Sequence, residues 1–259
     1  MKPFGAFGML AMVGCASVDQ PSERSFGAFG ENVDRGESYD DGAIVGGPDD
    51  DPDEDGYTNA EEQEAGTNPN YAFSHPYSGD YRIGFCRKRP DPTGPTNSQN
   101  YSGPDGFSYD YATYKQGDVA DNFTLRDQYG EMVDLYSFCG NHVMLVVGAG
   151  WCGPCRQEAG RLQSVAEEYP EAQIIQILAQ DSSENTPSLG FVQGWADQYG
   201  FENVAALGVV SAPTSYEEYF SAPSVLFEDD GYIPTIYHLD DEMKVVSADQ
   251  GVQTPDTWL

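Results

Sequence analysis

The stretch HVMLVVGAGWCGPCRQEAG, residues 142–160, decides how the rest of the chain is read. Its first half is a continuous apolar run of strand length, the pattern of a strand buried on both faces. Its second half sets Cys152 and Cys155 around Gly153 and Pro154, behind Trp151. Leu162, Val165, Ala166 and Tyr169 then recur at helical spacing, and Pro170 ends the run. A C-x-x-C between a buried strand and a helix start suits redox chemistry better than zinc. Zinc would need two more Cys or His at ligand spacing, and His75, His142 and His238 are not so spaced. At a helix start, unpaired backbone N–H groups and the helix dipole favour an anion. Cys152 placed there ionises readily, and Cys155, one turn on, can close a disulfide with it. Pro154 suits the first turn, where a missing N–H is no loss. Trp151 can shield one side of the thiolate.

Working outward, AQIIQILAQ (172–180) reads as a second buried strand. TPSLGFVQGWADQYG (186–200) reads as a helix opening at Thr186-Pro187, with Leu189, Val192, Trp195 and Tyr199 on one face. SYEEYF (215–220) reads as a short helix, and PTIYHLD (234–240) with MKVVSA (243–248) as two strands around a tight acidic turn. Before the central stretch, VADNFTLRDQYGEMVDLYSF alternates in short apolar runs broken at Tyr129-Gly130-Glu131, a hairpin signature. The order of these elements is an α/β pattern with a mixed sheet.

The 259-residue chain carries 43 acidic and 12 basic residues, a formal net charge of −31. Such a surface repels nucleic acid and anionic headgroups, so nucleic-acid binding is set aside. The acid is concentrated: Glu31 to Glu64 holds fourteen Asp or Glu against one basic residue, Arg35. Within it, DPDEDGYTNAEE (51–62) has the spacing of a calcium loop. Asp51, Asp53 and Asp55 offer side-chain oxygens, Gly56 a sharp turn, Tyr57 its carbonyl, Asn59 a water position and Glu62 a bidentate carboxylate. These hard oxygens suit Ca²⁺, against the plainer reading of an acidic linker that binds nothing tightly. No organic cofactor is expected. Residues 71–117, rich in Tyr, Gly, Pro and Asn and holding Arg87-Lys88-Arg89, read as an irregular connector.

WCGPC matches the thioredoxin active-site motif residue for residue. The wider stretch, with an F-x-L-x-D-x-x-G hairpin before it and Arg156 and Glu158 after it, resembles the TlpA-like branch of exported thiol–disulfide oxidoreductases. The resemblance implies a thioredoxin-like three-layer α/β fold with a mixed central sheet over 118–259, preceded by an irregular acidic N-terminal region. It implies that Cys152 attacks and Cys155 resolves, with a cis-proline facing the pair. Pro234 in GYIPTIYHLD is the match, which requires an insertion across 201–230; Pro223 in SAPSVLFEDDG is the rival. Thioredoxins place a buried acid at the position held here by Val146, so proton transfer at the resolving thiol is assisted from elsewhere, Glu158 being one source. Where the family's helix often carries a proline, this chain has Gly160. The peroxidase spacing P-x-x-x-T-x-x-C is absent from the sequence.

MKPFGAFGMLAMVGCAS, at the N-terminus, resembles a bacterial lipoprotein signal. That implies cleavage before Cys15 and acylation of Cys15; a plain signal peptide is the alternative. The apolar run is far shorter than the ~20 residues that span a bilayer. With Cys15 and the C-x-x-C pair set aside, Cys86 and Cys139 remain. An even remainder in an exported protein suggests a structural bridge, the alternative being two separate buried thiols. The acidic loop resembles the thrombospondin type 3-like repeats of bacterial surface proteins. The expected organisation is a signal over 1–14, a flexible acidic tether over 15–47, the calcium loop within 48–70, the connector over 71–117 and the redox domain over 118–259. The expected activity is reduction of disulfides in exported proteins, at the periplasm or cell surface, with electrons from a membrane thiol donor. The alternative is a non-catalytic, calcium-stiffened surface lipoprotein that uses the fold as a binding module.

Overall fold

The structure, a computed structural model, describes residues 44–84, 90–103, 106–209, 221–227 and 232–251. The signal over 1–14, Cys15, most of the tether, Cys86 and the helix expected over 215–220 lie outside the described residues. In chain order, α1 (Asn59–Ala65) precedes a separate hairpin of β1 (Asn97–Ser102) and β2 (Ser108–Thr113). A second hairpin, β3 (Thr124–Asp127) and β4 (Met132–Asp134), leads through a 3-10 turn at Leu135–Phe138 into β5 (His142–Gly148). Then follow α2 (Gly153–Glu168), β6 (Ala172–Leu178), α3 (Leu189–Tyr199), β7 (Ala205–Gly208), a short helix Pro223–Leu226, β8 (Thr235–Leu239) and β9 (Val245–Gln250).

The main sheet has seven strands in the order β4-β3-β7-β6-β5-β8-β9. β5, β6 and β7 are mutually parallel, and β3, β8 and β9 join antiparallel to their neighbours. The apolar β5 and β6 are interior, as strands covered on both faces must be. Met144, Val146, Ile174 and Leu178 pack beneath α2 and α3 with Leu162, Val165, Val192 and Trp195. Val143, Leu145, Val147, Ile175 and Ile177 face the other side, against Tyr77, Tyr81, Tyr114, Phe138 and Phe227. This is the thioredoxin-like mixed α/β arrangement.

Several expectations are corrected. α3 is capped by Ser188, whose side chain accepts from the Phe191 N–H, so the helix starts two residues after the Thr186-Pro187 signal. β7, a strand of only four residues (AALG), was not expected within 201–230; two alanines and a glycine carry no alternation. Pro223 opens a short helix instead of preceding a strand. Gly160 does not interrupt α2.

The stretch 71–117 is not simply irregular. Its β1–β2 hairpin is made of Asn, Ser, Gln, Tyr, Asp and Thr with one Ala, so no apolar alternation announces it. Cross-strand polar pairs hold it: Asn100 Nδ2 donates to Asp110 Oδ1 at 2.6 Å and Asn97 Nδ2 to Thr113 Oγ1 at 3.1 Å. Residues 71–82 are stapled to the main sheet. The Tyr71 hydroxyl donates to Asp134, the Ser78 N–H to Glu131 Oε2 at 2.7 Å, and the buried Tyr81 hydroxyl to Asp127 Oδ2 at 2.8 Å. Arg82 donates to Asn141 Oδ1 at 2.8 Å and to the Pro170 carbonyl at 2.9 Å. The acidic loop joins the same staple, because Tyr57 stacks on His75 with ring centroids 5.6 Å apart, and His75 leans on Tyr77 at 4.3 Å.

Candidate functional site: a disulfide at a helix start and an acidic loop

β5 ends at Gly148 and delivers the chain into Ala149-Gly150-Trp151, from which α2 starts. Cys152 is the N-cap of α2, in extended conformation, and its Sγ accepts from the Cys155 N–H at 3.1 Å. Pro154 occupies the first turn. Cys152 and Cys155 are joined by a disulfide with Cα atoms 5.2 Å apart. Cys155 is fully buried, Cys152 is 4% exposed, and Trp151 beside them is 40% exposed. Trp151 is held outward by its indole N–H, which donates to Gln180 Oε1 at 2.8 Å. The Arg156 guanidinium donates from Nε to the Gly150 carbonyl at 2.8 Å, tying α2 back to the loop.

The Ile233–Pro234 peptide is cis. Ile233 packs on Ala149, Cys152 and Cys155, and its carbonyl oxygen lies 3.7 Å from Cys152 Sγ. Pro223 sits in the short helix that Phe227 follows, and Phe227 belongs to the opposite face of the sheet. The structure therefore brings together Trp151, Cys152, Pro154, Cys155 and Pro234, and leaves Pro223 out. Glu158 is fully buried one turn beyond Cys155, with Arg161 Nη1 3.7 Å from its carboxylate. Sequence reasoning did not single out Gln180, Ile233 or Gln176. Gln176 and Gln180 are, with Gln173, the polar residues of a largely apolar stretch, and that was the signal available. Cys139 is disulfide-bonded, and its partner lies outside the described residues, as Cys86 does.

The second cluster is the acidic loop. One oxygen each from Asp51, Asp53 and Asp55 lie within 4.8 Å of one another. Asp51 accepts from the Asp55 and Gly56 N–H groups at 3.2 and 3.0 Å, which curls the loop. Gly56 has φ +100°, a conformation that suits glycine and closes the turn. Residues 59–65 then form α1, capped by Thr58 and Glu61 in a reciprocal box, so a helix follows the loop although none precedes it among the described residues. α1 carries Glu62 back to the loop, fully buried. Both Asp53 oxygens, Asp55 Oδ2, Asn59 Oδ1 and Glu62 Oε2 are buried without a hydrogen-bond partner. Burial, reinforced by Asp55 and Asp51, pushes the Asp53 carboxyl up to about 7; burial, reinforced by Asp53 and Asp55, pushes Glu62 up to about 8. Unpartnered acceptors converging in one place fit a hard divalent cation. Asn59, expected to hold a water, also anchors the loop, donating from Nδ2 to the Val45 and Gly47 carbonyls at 2.9 and 2.7 Å.

Comparison with known proteins gives two family matches. The AhpC/TSA family model matches residues 116–248, just over half the chain, and a bacterial TSP3 repeat matches residues 51–72. The thiol-disulfide oxidoreductase ResA of Halalkalibacterium halodurans is 34% identical over 94 residues, covering 36% of this chain and 51% of that protein. The chain thus spans about half the length of that relative. ResA of Bacillus thuringiensis is 27% identical over 149 residues, 58% of this chain and 78% of that protein. Among solved structures, StoA from Bacillus subtilis superposes with a TM-score of 0.40 at 18% identity, covering 54% of this chain and 94% of that one.

Proposed function

The chain belongs to the AhpC/TSA family, and from that premise we propose that it is a thiol–disulfide oxidoreductase of the cell envelope. The observation that carries the reading is the place of Cys152: at the start of α2, accepting the Cys155 N–H, bridged to Cys155 and facing the Ile233 carbonyl. An anionic sulfur at an N-cap is stabilised by the N–H groups of the first turn, which favours ionised Cys152 once the bridge is opened. Its relatives named ResA are described as thiol-disulfide oxidoreductases.

In the reducing direction, the Cys152 thiolate attacks one sulfur of a substrate disulfide, and the first substrate thiolate leaves. Cys155 then gives up its proton and attacks Cys152 Sγ, closing the intramolecular bridge and releasing the second substrate thiolate. The proton from Cys155 ends on that leaving sulfur, and the first leaving thiolate takes from solvent the proton that Cys152 gave up on ionising, so two substrate thiols form for each bridge closed. A membrane thiol donor reopens the bridge. The strand-like backbone at Ile233-Pro234 is the surface along which an extended substrate segment lies, and Trp151 borders its other side. Substrates are exported proteins, and the chain is held at the membrane through Cys15. Among the described residues no helix is long and apolar enough to cross a membrane. A Cys86–Cys139 bridge fastens the connector to the domain.

The acidic loop is proposed to hold one Ca²⁺ through Asp51, Asp53, Asp55, the Tyr57 carbonyl and Glu62. Bound there, the ion neutralises the converging carboxylates and fixes the loop on α1. The test of the redox reading is trapping. Cys155→Ser should accumulate a mixed disulfide between Cys152 and substrate, visible as a higher-mass species that dithiothreitol dissolves, whereas Cys152→Ser should form none. Absence of any such adduct with Cys155→Ser, in a protein that keeps its fold, contradicts the proposal.

A further inference from the structure

Cys155 is the sulfur that must lose a proton inside the protein, yet the C-terminal part of β5 carries no ionisable group on the sheet face under α2, where Val146 and Gly148 stand. The neighbouring strand offers a polar group instead. Gln176 lies directly across from Val146 in the parallel β5–β6 register, so the two side chains share a face of the sheet, the one under α2 and α3. Gln176 is fully buried. Its Oε1 accepts the Trp195 indole N–H at 2.8 Å. An indole nitrogen only donates, so this bond fixes which end of the amide is oxygen. Nε2, the donor end, is buried with no hydrogen-bond partner. A buried amide nitrogen left in that state is unfavourable, and a native structure rarely keeps one without a use.

Nε2 and the resolving sulfur border the same small space. A methyl group added to Gly148 would stand 3.4 Å from Cys155 Sγ and 3.7 Å from Gln176 Nε2. The missing side chain at Gly148 leaves the way between them open. We infer that Gln176 is the hydrogen-bond donor to the resolving sulfur: when the Cys152–Cys155 bridge opens, Nε2–H turns onto Cys155 and stabilises its thiolate. The inference rests on the oxidoreductase reading and names the residue that tunes its second step. An amide cannot take the proton, so Gln176 leaves the proton balance unchanged and acts by favouring the anion. The ionisable groups flanking Cys155 on the chain are Cys152 before it and, along α2, Arg156, whose guanidinium is turned onto the Gly150 carbonyl, and Glu158 with Arg161.

The test uses Cys152→Ser, where Cys155 is left as a single thiol of the pair, and follows thiolate absorbance against pH. Replacing Gln176 by Leu in that background should lower the Cys155 thiolate fraction about tenfold at a given pH, the size expected for losing a hydrogen bond to a charged group. In the otherwise native chain, Gln176→Leu should lengthen the life of the mixed disulfide with substrate about tenfold near neutral pH. Gln176→Glu should raise the Cys155 titration further, because an ionised carboxylate would face the sulfur in place of a donor. Trp195→Phe keeps the amide but frees its orientation, and should move the titration in the same direction by less; it carries the test if Gln176→Leu does not fold. A folded Gln176→Leu protein, or failing that a folded Trp195→Phe protein, with an unchanged Cys155 titration and unchanged mixed-disulfide lifetime overturns the inference. A merely structural glutamine would lower the melting temperature and leave both readouts alone. If the native chain forms no mixed disulfide at all, the oxidoreductase reading fails, whereas a cycling native chain with an insensitive Gln176→Leu variant fails only this inference.

Discussion

Gly150 shows how tightly the residues around the bridge are set. A Cβ there would come 2.5 Å from the tip of the Phe191 ring and 2.8 Å from the backbone at Asp181 and Ser182. Backbone cannot yield as a flexible side chain can. Gly150→Ala should therefore destabilise the protein by about 1–3 kcal/mol in urea unfolding, the usual size of an overpacking strain. It should also displace Trp151, whose indole N–H would lose Gln180, and a changed tryptophan emission would report that. The residues of the bridge itself were legible in the sequence, because C-x-x-C beside a buried strand and a helix start has a local spacing that chemistry requires. Gln176 and Gln180 were not. Gln176 is a polar residue inside β6, and Gln180 lies just past its end; only the packing of α3 over the sheet and the turn of the 149–151 loop show that they face Trp195 and Trp151.

The acidic loop and α1 form an element whose behaviour should follow pH and calcium together. Asp53 and Glu62, ordinarily carboxyls of about 3.8 and 4.5, are raised to about 7 and about 8 in the folded chain. A raised carboxyl binds its proton more tightly folded than unfolded. Its contribution is therefore fully present below pH ~4, and is lost as pH rises through about 7 and about 8. Metal-free protein should lose stability across that window in thermal melts at a series of pH values. Calcium competes with those protons, so its affinity should rise over the same window, as calorimetric titration would show. Asp53→Asn should act oppositely on the two measurements, weakening calcium binding about tenfold or more while stabilising the metal-free protein near neutral pH. A loop whose stability and calcium response are both flat with pH would contradict this account. The ligand spacing was plain in the sequence; the helix after the loop was not, since NAEEQEA is short and mostly exposed and is fixed by the Thr58–Glu61 box.

At the scale of the molecule, the two clusters are parts of one folded body. The segment between them lays Tyr77 and Tyr81 on the sheet face opposite α2 and α3, where Tyr81 meets Phe138 edge-on at 6.3 Å and donates to the buried Asp127. Tyr81→Ala should lower stability by about 3–5 kcal/mol, as large aromatic truncations in cores do, and should lower a single transition instead of splitting it. Chelating calcium should move that same transition. Two separate transitions would mean that the acidic loop and the redox domain are independent. The central strands, both main helices and the final hairpin could be read from apolar spacing. The tyrosine layer could not, because Tyr77, Tyr81 and Tyr114 follow no period and are ordered only by the sheet they cover.

Cys152 and Cys155 are proposed to form a pair that cycles and donates electrons. The most direct test is the equilibrium reduction potential of that bridge in the whole chain, set with dithiothreitol buffers and followed by the fluorescence of the adjoining Trp151. The account predicts a reversible two-electron titration near the thioredoxin value of about −270 mV. A potential near about −120 mV, that of a strong disulfide donor, would reverse the proposed direction of electron flow, and a bridge that does not titrate reversibly would contradict the claim outright.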